Sequence, residues 1–236
     1  MGEANIPTID FSTFLKEDED GKKKAMEEIF EASCEYGFFQ IVNHEISLDL
    51  INEAMQVSKM FLDCPYEEKN KSKGSASCGA PVPHGYNRQP DHAPDKNEYF
   101  AMFPPGSSFN VFPSNPPNFR DLLEEIYEPM SKMGVLMESV INDCLGLPTN
   151  LLKDFNDDRS WDYLVAFHYA PAANDTENFG IIEHEDSNCL TFIISNEVEG
   201  LEIRKNGKWI PVIPAKGTIV VNIGDVIQVN PVYITA

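Results

Sequence analysis

Apolar positions in this chain recur first at helical spacing and then, after Arg159, in alternation. Spacings of three and four residues stack side chains on one helix face, whereas alternation stacks them on one face of a strand. Residues 6–11, Ile-Pro-Thr-Ile-Asp-Phe, read as a short edge strand, with Pro7 tolerated near its start. Residues 22–36 carry Met26, Ile29, Phe30 and Ser33 at helical spacing, and Gly37 supplies a left-handed stop. A compact strand over residues 38–42 follows, then a turn at Asn43-His44-Glu45. Ser47 is placed to cap a helix running to about Leu62, whose stripe is Leu50, Ile51, Ala54, Val57, Met60 and Phe61, and Pro65 ends it.

The middle of the chain is less regular. Residues 69–73 read as a solvated, mobile face. From Ser75 to Pro117 the chain is rich in Pro, Gly, Ser and Asn, with one strand expected at residues 98–103; His84 and His92 lie here and are expected to face solvent. His44 is expected to be a hydrogen-bonded turn histidine and not a metal ligand. Residues 119–145 form the longest expected helix, its buried face built from Leu122, Leu123, Ile126, Met130, Met133, Met137, Val140, Ile141 and Cys144, with a kink at Pro129.

Beyond Arg159 the pattern is β. In residues 161–169, Val165, Phe167 and Tyr169 share one face, while Leu164, Ala166 and His168 share the other. Strands are expected at 190–195, at 201–212 folded about Asn206-Gly207, and at 218–229 with an interruption at Gly224-Asp225. Helices first and antiparallel strands afterwards indicate an α+β chain whose second part is a barrel or jelly roll.

The stretch from Ile182 to Ile194 carries the candidate chemistry. His184 and Asp186 stand two apart at the start of an apolar run that reads as a strand, so the imidazole and the carboxylate are expected to project from the same face. A His-x-Asp pair presented in this way supplies two protein ligands of a 2-His-1-carboxylate iron site. On its own the tripeptide is as common as any surface pair.

Composition narrows the partners. A formal charge of −20 repels phosphate backbones and anionic membranes, so neither nucleic acid nor membrane is an expected partner. The five cysteines are widely spaced with no C-x-x-C, which suits reduced thiols. No apolar run is long enough to span a bilayer, and the N-terminus has no basic and apolar signal regions. A soluble, cytoplasmic protein is expected.

Several pieces, taken in order, carry a resemblance. They are Ile6-Pro7-Thr8-Ile9-Asp10, the run from Tyr36-Gly37-Phe38-Phe39 to Asn43-His44, and Leu145-Gly146-Leu147, followed by His184-Glu185-Asp186 with Leu190-Thr191, Gly200-Leu201, Gly207-Lys208-Trp209 and Val221-Asn222-Ile223-Gly224-Asp225. Together they resemble the plant-type 2-oxoglutarate- and iron(II)-dependent dioxygenases, the group around flavonol synthase, anthocyanidin synthase and gibberellin oxidases, with isopenicillin N synthase more distant. The resemblance implies an N-terminal non-haem dioxygenase domain over residues 1–115, a long helix and linker over 116–158, and a double-stranded β-helix (jelly roll) domain over 159–236. It implies Fe(II) held by His184 and Asp186, 2-oxoglutarate as co-substrate with a carboxylate bound by Tyr169, O2 as oxidant and ascorbate as reductant. A small organic molecule would be oxidised with release of succinate and CO2. Phe167 stands where the family often has an Asn beside that Tyr.

The chain also departs from the pattern. The family's third ligand is a second His downstream of the Asp, followed by an Arg-x-Ser pair that binds the distal carboxylate of 2-oxoglutarate. No His follows Asp186, and the only later Arg is Arg204, in a hairpin position that does not match. The jelly roll is therefore expected to be incomplete at its C-terminus, leaving open sheet edges. An inactive relative that pairs those edges with a full-length partner is the alternative reading. A third reading, in which His168 is recruited as a ligand, conflicts with the alternation that sets His168 opposite Tyr169.

Overall fold

The computed structural model describes residues 6–90, 92–93, 95–169, 180–196, 198–213 and 215–227. The last residues of the strand expected to reach Val229, and the tail from Asn230, lie outside the described residues.

The chain opens with β1 (Thr8–Asp10) and helix α1 (Glu19–Tyr36). Asp18 starts α1 by accepting from the Gly21 amide at 2.9 Å, and Glu19 and Asp20 place negative charge at the positive end of the helix. Gly37, at φ 71°, ends α1 in the left-handed conformation, its N–H bonded to Ser33 O at 3.0 Å. Strand β2 (Phe38–Val42) follows directly, then α2 (Leu48–Leu62), whose first turn is capped by Ser47 Oγ accepting from Leu50 N. A four-residue helix α3 (Tyr66–Lys69), strands β3 (Gly85–Arg88) and β4 (Asn97–Met102), the long α4 (Phe119–Cys144) and the short α5 (Leu151–Phe155) come next. The remaining strands are β5 (Leu164–Tyr169), β6 (Leu190–Ile193), β7 (Glu202–Lys205), β8 (Lys208–Pro211) and β9 (Ile219–Ile223).

The chain divides into two compact units, and α4 runs from the second into the first. The first unit comprises Met1–Glu45, Met133–Phe155 and Glu185–Ala236. Its sheet has the order β1-β2-β9-β6, with β1 parallel to β2 and the other pairs antiparallel. A separate hairpin, β7-β8, turns on Asn206 (φ 51°) and Gly207 (φ 75°). Both are left-handed, as the Asn-Gly signal requires. Ile6, Ile203, Val212 and Val220 form one buried cluster that joins hairpin and sheet. His44 is buried at its turn, where loss of hydration pushes its imidazole below the usual range.

The second unit comprises Ile46–Lys132 and Asn156–His184. Its sheet, β3-β4-β5, is antiparallel throughout. Phe61, Tyr86, Phe100 and Phe119 fill the space on one side, with Phe61 and Phe100 each within 4.9 Å of the Phe119 ring centre.

Four details differ from the sequence reading. Phe30 is 45% exposed and Met60 53% exposed. Each lies one residue, about 100° of helix rotation, from a fully buried neighbour (Ile29 and Phe61), so the stripes are narrower than drawn. His84 is 5% exposed, packed between the rings of Phe103 and Phe109, each 6.0 Å away. The Pro-rich stretch here folds into a small aromatic stack instead of an open loop. Lys69 is 6% exposed, and Ser72 is buried too. The Lys69 ammonium donates to both oxygens of Glu98, at 2.8 and 2.7 Å, and to Leu62 O at 2.7 Å. A charge so paired can be buried where a lone one could not.

Candidate active site

Residues 180–189 form a loop that leads into β6, so the expected strand geometry for His184 and Asp186 is not found. The apolar run becomes strand only at Leu190, because residues 183–188 are all polar or charged and contribute nothing to a sheet core. What holds each side chain is a set of specific bonds within its own unit.

His184 Nδ1 lies 2.9 Å from Ile182 O. A carbonyl oxygen only accepts, so Nδ1 carries a proton, and in a neutral imidazole the lone pair is then on Nε2. That tautomer, with its outer nitrogen tied to a backbone carbonyl, is the form in which a histidine ligates a metal.

Asp186 is fixed by residues of the first unit. Its Oδ2 accepts from Thr191 Oγ1 at 2.6 Å and from Asn222 Nδ2 at 3.0 Å. Asn222 is buried on β9, directly across from Thr191 on β6, so the two donors reach the carboxylate from paired strands. The loop backbone is held as well: Asp225 N donates to Asp186 O at 2.8 Å, and Gly224 N to Cys189 O at 2.9 Å. Gly224 makes this approach possible, because a Cβ there would sit 2.1 Å from Asn188 O.

In donor chemistry the pair fits iron(II), which takes imidazole and carboxylate ligands. Among the described residues no group of three His, Cys, Asp or Glu side chains converges to hold a metal ion. His168 is engaged elsewhere. Its Nδ1 lies 3.0 Å from Glu98 Oε1, on the opposite sheet face from Tyr169, as alternation requires.

Tyr169 closes a row of rings on the other face of the second unit's sheet. Its ring stacks on Phe167 at 5.8 Å and 7°, and Phe167 contacts Tyr99 across the strand pair at 5.2 Å. The backbone of Gly180 presses on the Tyr169 ring so closely that an added Cβ would lie 2.5 Å from Cδ1. Gly180 O accepts from Asn97 Nδ2 at 2.7 Å, and Asp95 Oδ1 accepts from Ile182 N at 2.8 Å. Loss of hydration, and then the nearby Asp95 carboxylate, push the Tyr169 hydroxyl above its usual range. Beside the rings lies a cavity of about 240 Å³ lined by Val165, Phe167, Tyr99 and Tyr163, with Asp95 and Asn97 among its polar groups.

The family assignment comes from sequence comparison. The N-terminal region of the non-haem dioxygenases of morphine synthesis matches residues 6–136, and the 2OG-Fe(II) oxygenase superfamily matches residues 160–232. The chain belongs to the 2OG-Fe(II) oxygenases. It is 31% identical over 207 residues to a flavonol synthase/flavanone 3-hydroxylase of Matthiola incana, a match covering 85% of this chain and 69% of that protein. It is 32% identical over 232 residues to flavonol synthase 2 of Arabidopsis thaliana, which its name marks provisionally as inactive, covering 94% of this chain and 88% of the relative. Among solved structures, JOX2 in complex with 2OG, Fe and JA superposes with a TM-score of 0.81 at 26% identity, covering 95% of this chain and 66% of that one. The chain spans 58–69% of the length of three curated relatives that include the Matthiola protein. The 2OG-Fe(II) oxygenases use Fe(II), 2-oxoglutarate and O2, and the jelly roll expected from the strand pattern is their fold.

Thr191 and Asn222 are the residues that the sequence reading passed over. Both lie inside quoted motif pieces, Leu190-Thr191 and Val221-Asn222-Ile223, yet nothing local ties either one to Asp186. Thr191→Val removes the 2.6 Å bond while keeping the side chain's shape. It is expected to weaken iron(II) binding roughly tenfold or more, read by anaerobic metal titration, with an unchanged circular dichroism spectrum.

Proposed function

We propose that this chain holds iron(II) through His184 Nε2 and the Asp186 carboxylate, and that the Tyr169 hydroxyl donates to a carboxylate of 2-oxoglutarate. The reaction is oxidation of a small organic molecule with release of succinate and CO2. The observation that carries the reading is the orientation of the two ligand side chains: Ile182 O fixes the histidine tautomer, and Thr191 and Asn222 hold one carboxylate oxygen.

When bound, iron(II) with 2-oxoglutarate supplies O2 activation coupled to decarboxylation. The chain's own residues do the rest. His184 and Asp186 present an imidazole and a carboxylate two residues apart in one loop, donor types that iron(II) takes. Tyr169 offers a phenol hydroxyl, protonated at neutral pH, whose surroundings push its pKa further up. The row formed by the Tyr99, Phe167 and Tyr169 rings offers flat apolar surface to an organic substrate. Relatives bear the names of flavonol synthase and gibberellin 2-beta-dioxygenase, which supports a substrate of metabolite size.

The reading is tested by adding iron(II) and 2-oxoglutarate to the purified chain without oxygen and following the visible charge-transfer band of the chelate. A saturable band that disappears in His184→Ala is the expected result. A folded, monodisperse chain that gives no band would overturn it.

A further inference from the structure

The loop that precedes β3 brings together a thiol and an imidazole that the oxygenase reading does not use. Cys78 Sγ lies 3.7 Å from His84 Nε2. Among the described residues this sulfur is the one hydrogen-bond partner of the His84 ring. The surroundings of the two groups differ. Cys78 is exposed, whereas His84 is 5% exposed and packed between the Phe103 and Phe109 rings.

Local bonds fix the pair. His84 O accepts from Gly74 N and from Asn87 Nδ2, each at 3.1 Å. Gly74 lets the chain run against the imidazole, since a Cβ there would sit 2.4 Å from Nε2. On the sulfur side, Cys78 N donates to Ser75 O at 3.3 Å and closes a turn.

We propose that Cys78 and His84 form a covalent modification site for soft carbon electrophiles, namely alkenes conjugated to a carbonyl. The sulfur is open to solvent, so a reagent reaches it without any opening of the fold. The imidazole is held between two rings, which keeps Nε2 aimed at the sulfur. A base within hydrogen-bond reach is what activates a side-chain nucleophile. As the sulfur attacks, its proton passes to the Nε2 lone pair and a C–S bond forms at the β-carbon. The alkene π pair moves to the α-carbon, which then takes a proton from the imidazolium. Every atom of both reactants is kept in the adduct, and no oxidant is needed.

The test treats the full chain with limiting N-ethylmaleimide at neutral pH and follows each cysteine by peptide mass spectrometry. Cys34 is the internal control. It is exposed too, and among the described residues it has no hydrogen bond to a histidine. Cys78 is expected to react on the order of tenfold or more faster than Cys34. His84→Phe keeps a ring between Phe103 and Phe109 but removes the base, and is expected to bring Cys78 down to the Cys34 rate. His84→Ala leaves a ring-sized gap, and added imidazole is expected to restore fast Cys78 labelling with Cys34 little changed. Equal wild-type rates at the two cysteines would overturn the proposal. So would a folded His84→Phe chain that keeps the fast rate, or a folded His84→Ala chain that imidazole does not rescue. The wild-type comparison needs no variant, so it decides the matter even where a variant fails to fold.

Discussion

Lys69→Met is expected to lower the unfolding free energy by about 3–5 kcal/mol, measured as a fall in the denaturant midpoint with little change in slope. The Lys69 and Glu98 side chains are 8% and 15% exposed, so neither charge can turn to water when its partner is removed. Glu98 sits at the centre of a polar cluster: it accepts from Lys69, from Tyr86 OH at 2.5 Å and, through the His168 contact, at 3.0 Å. Methionine fills the lysine stem's volume but leaves the Glu98 carboxylate buried without its cation. The double variant Lys69→Met/Glu98→Gln is expected to recover part of the loss, because an amide is cheaper to bury than an unpaired carboxylate. A single variant as stable as wild type would show that the pair contributes little.

The same cluster gives a pH dependence. Burial pushes the Glu98 carboxyl up, but the hydrogen bonds from Lys69, Tyr86 and His168 outweigh it, and the group lies below its ordinary value. A carboxyl depressed in the folded state contributes stability that is present above its unfolded pKa, about 4.3, and is lost as pH falls through the folded value. Denaturant midpoints measured downward from pH 5 should therefore drop more steeply for wild type than for Glu98→Gln.

Gly224→Ala is expected to have the second-largest effect, acting on the site as well as on the fold. The new methyl carbon would stand 2.1 Å from Asn188 O and 2.5 Å from Asn188 Oδ1, and the nearest atom is backbone, which cannot swing aside. Relieving the clash means separating the turn at residues 224–226 from the loop that carries Asp186, which breaks the bonds from Gly224 N and Asp225 N. Overpacking of this kind costs about 1–3 kcal/mol. A loosened loop would also lower iron(II) affinity by roughly tenfold or more. Thermal unfolding followed by anaerobic iron titration separates the two effects. An unchanged iron affinity would show that the Asp186 loop does not depend on this contact.

Much of the local architecture is legible along the chain because its causes are local. Gly37 stops α1 by its backbone freedom, Ser47 caps α2 through a neighbour three residues on, and Asn206-Gly207 closes a hairpin through its own dihedral angles. The alternation that sets Phe167 and Tyr169 apart from His168 is equally a property of the strand itself. The site is legible only as far as its residue types, His184, Asp186 and Tyr169, and the ordered motif pieces around them. Strand geometry at His184 and Asp186 is a misreading, since an apolar run marks where a strand can form and not where it begins.

The sequence by itself determined the helix and strand order, the family and the candidate ligands, because capping, periodicity and motif order act over a few residues at a time. The tertiary structure alone decided which atoms hold those ligands and which charges are buried. Asn222 reaches Asp186 across 36 residues of chain, Glu98 meets Lys69 across 29 and His168 across 70. Such pairs carry no local signature: each residue's own neighbours would suit an exposed polar side chain equally well. Only the packing of strands brings the partners together, and it does so with enough dehydration to make each bond matter.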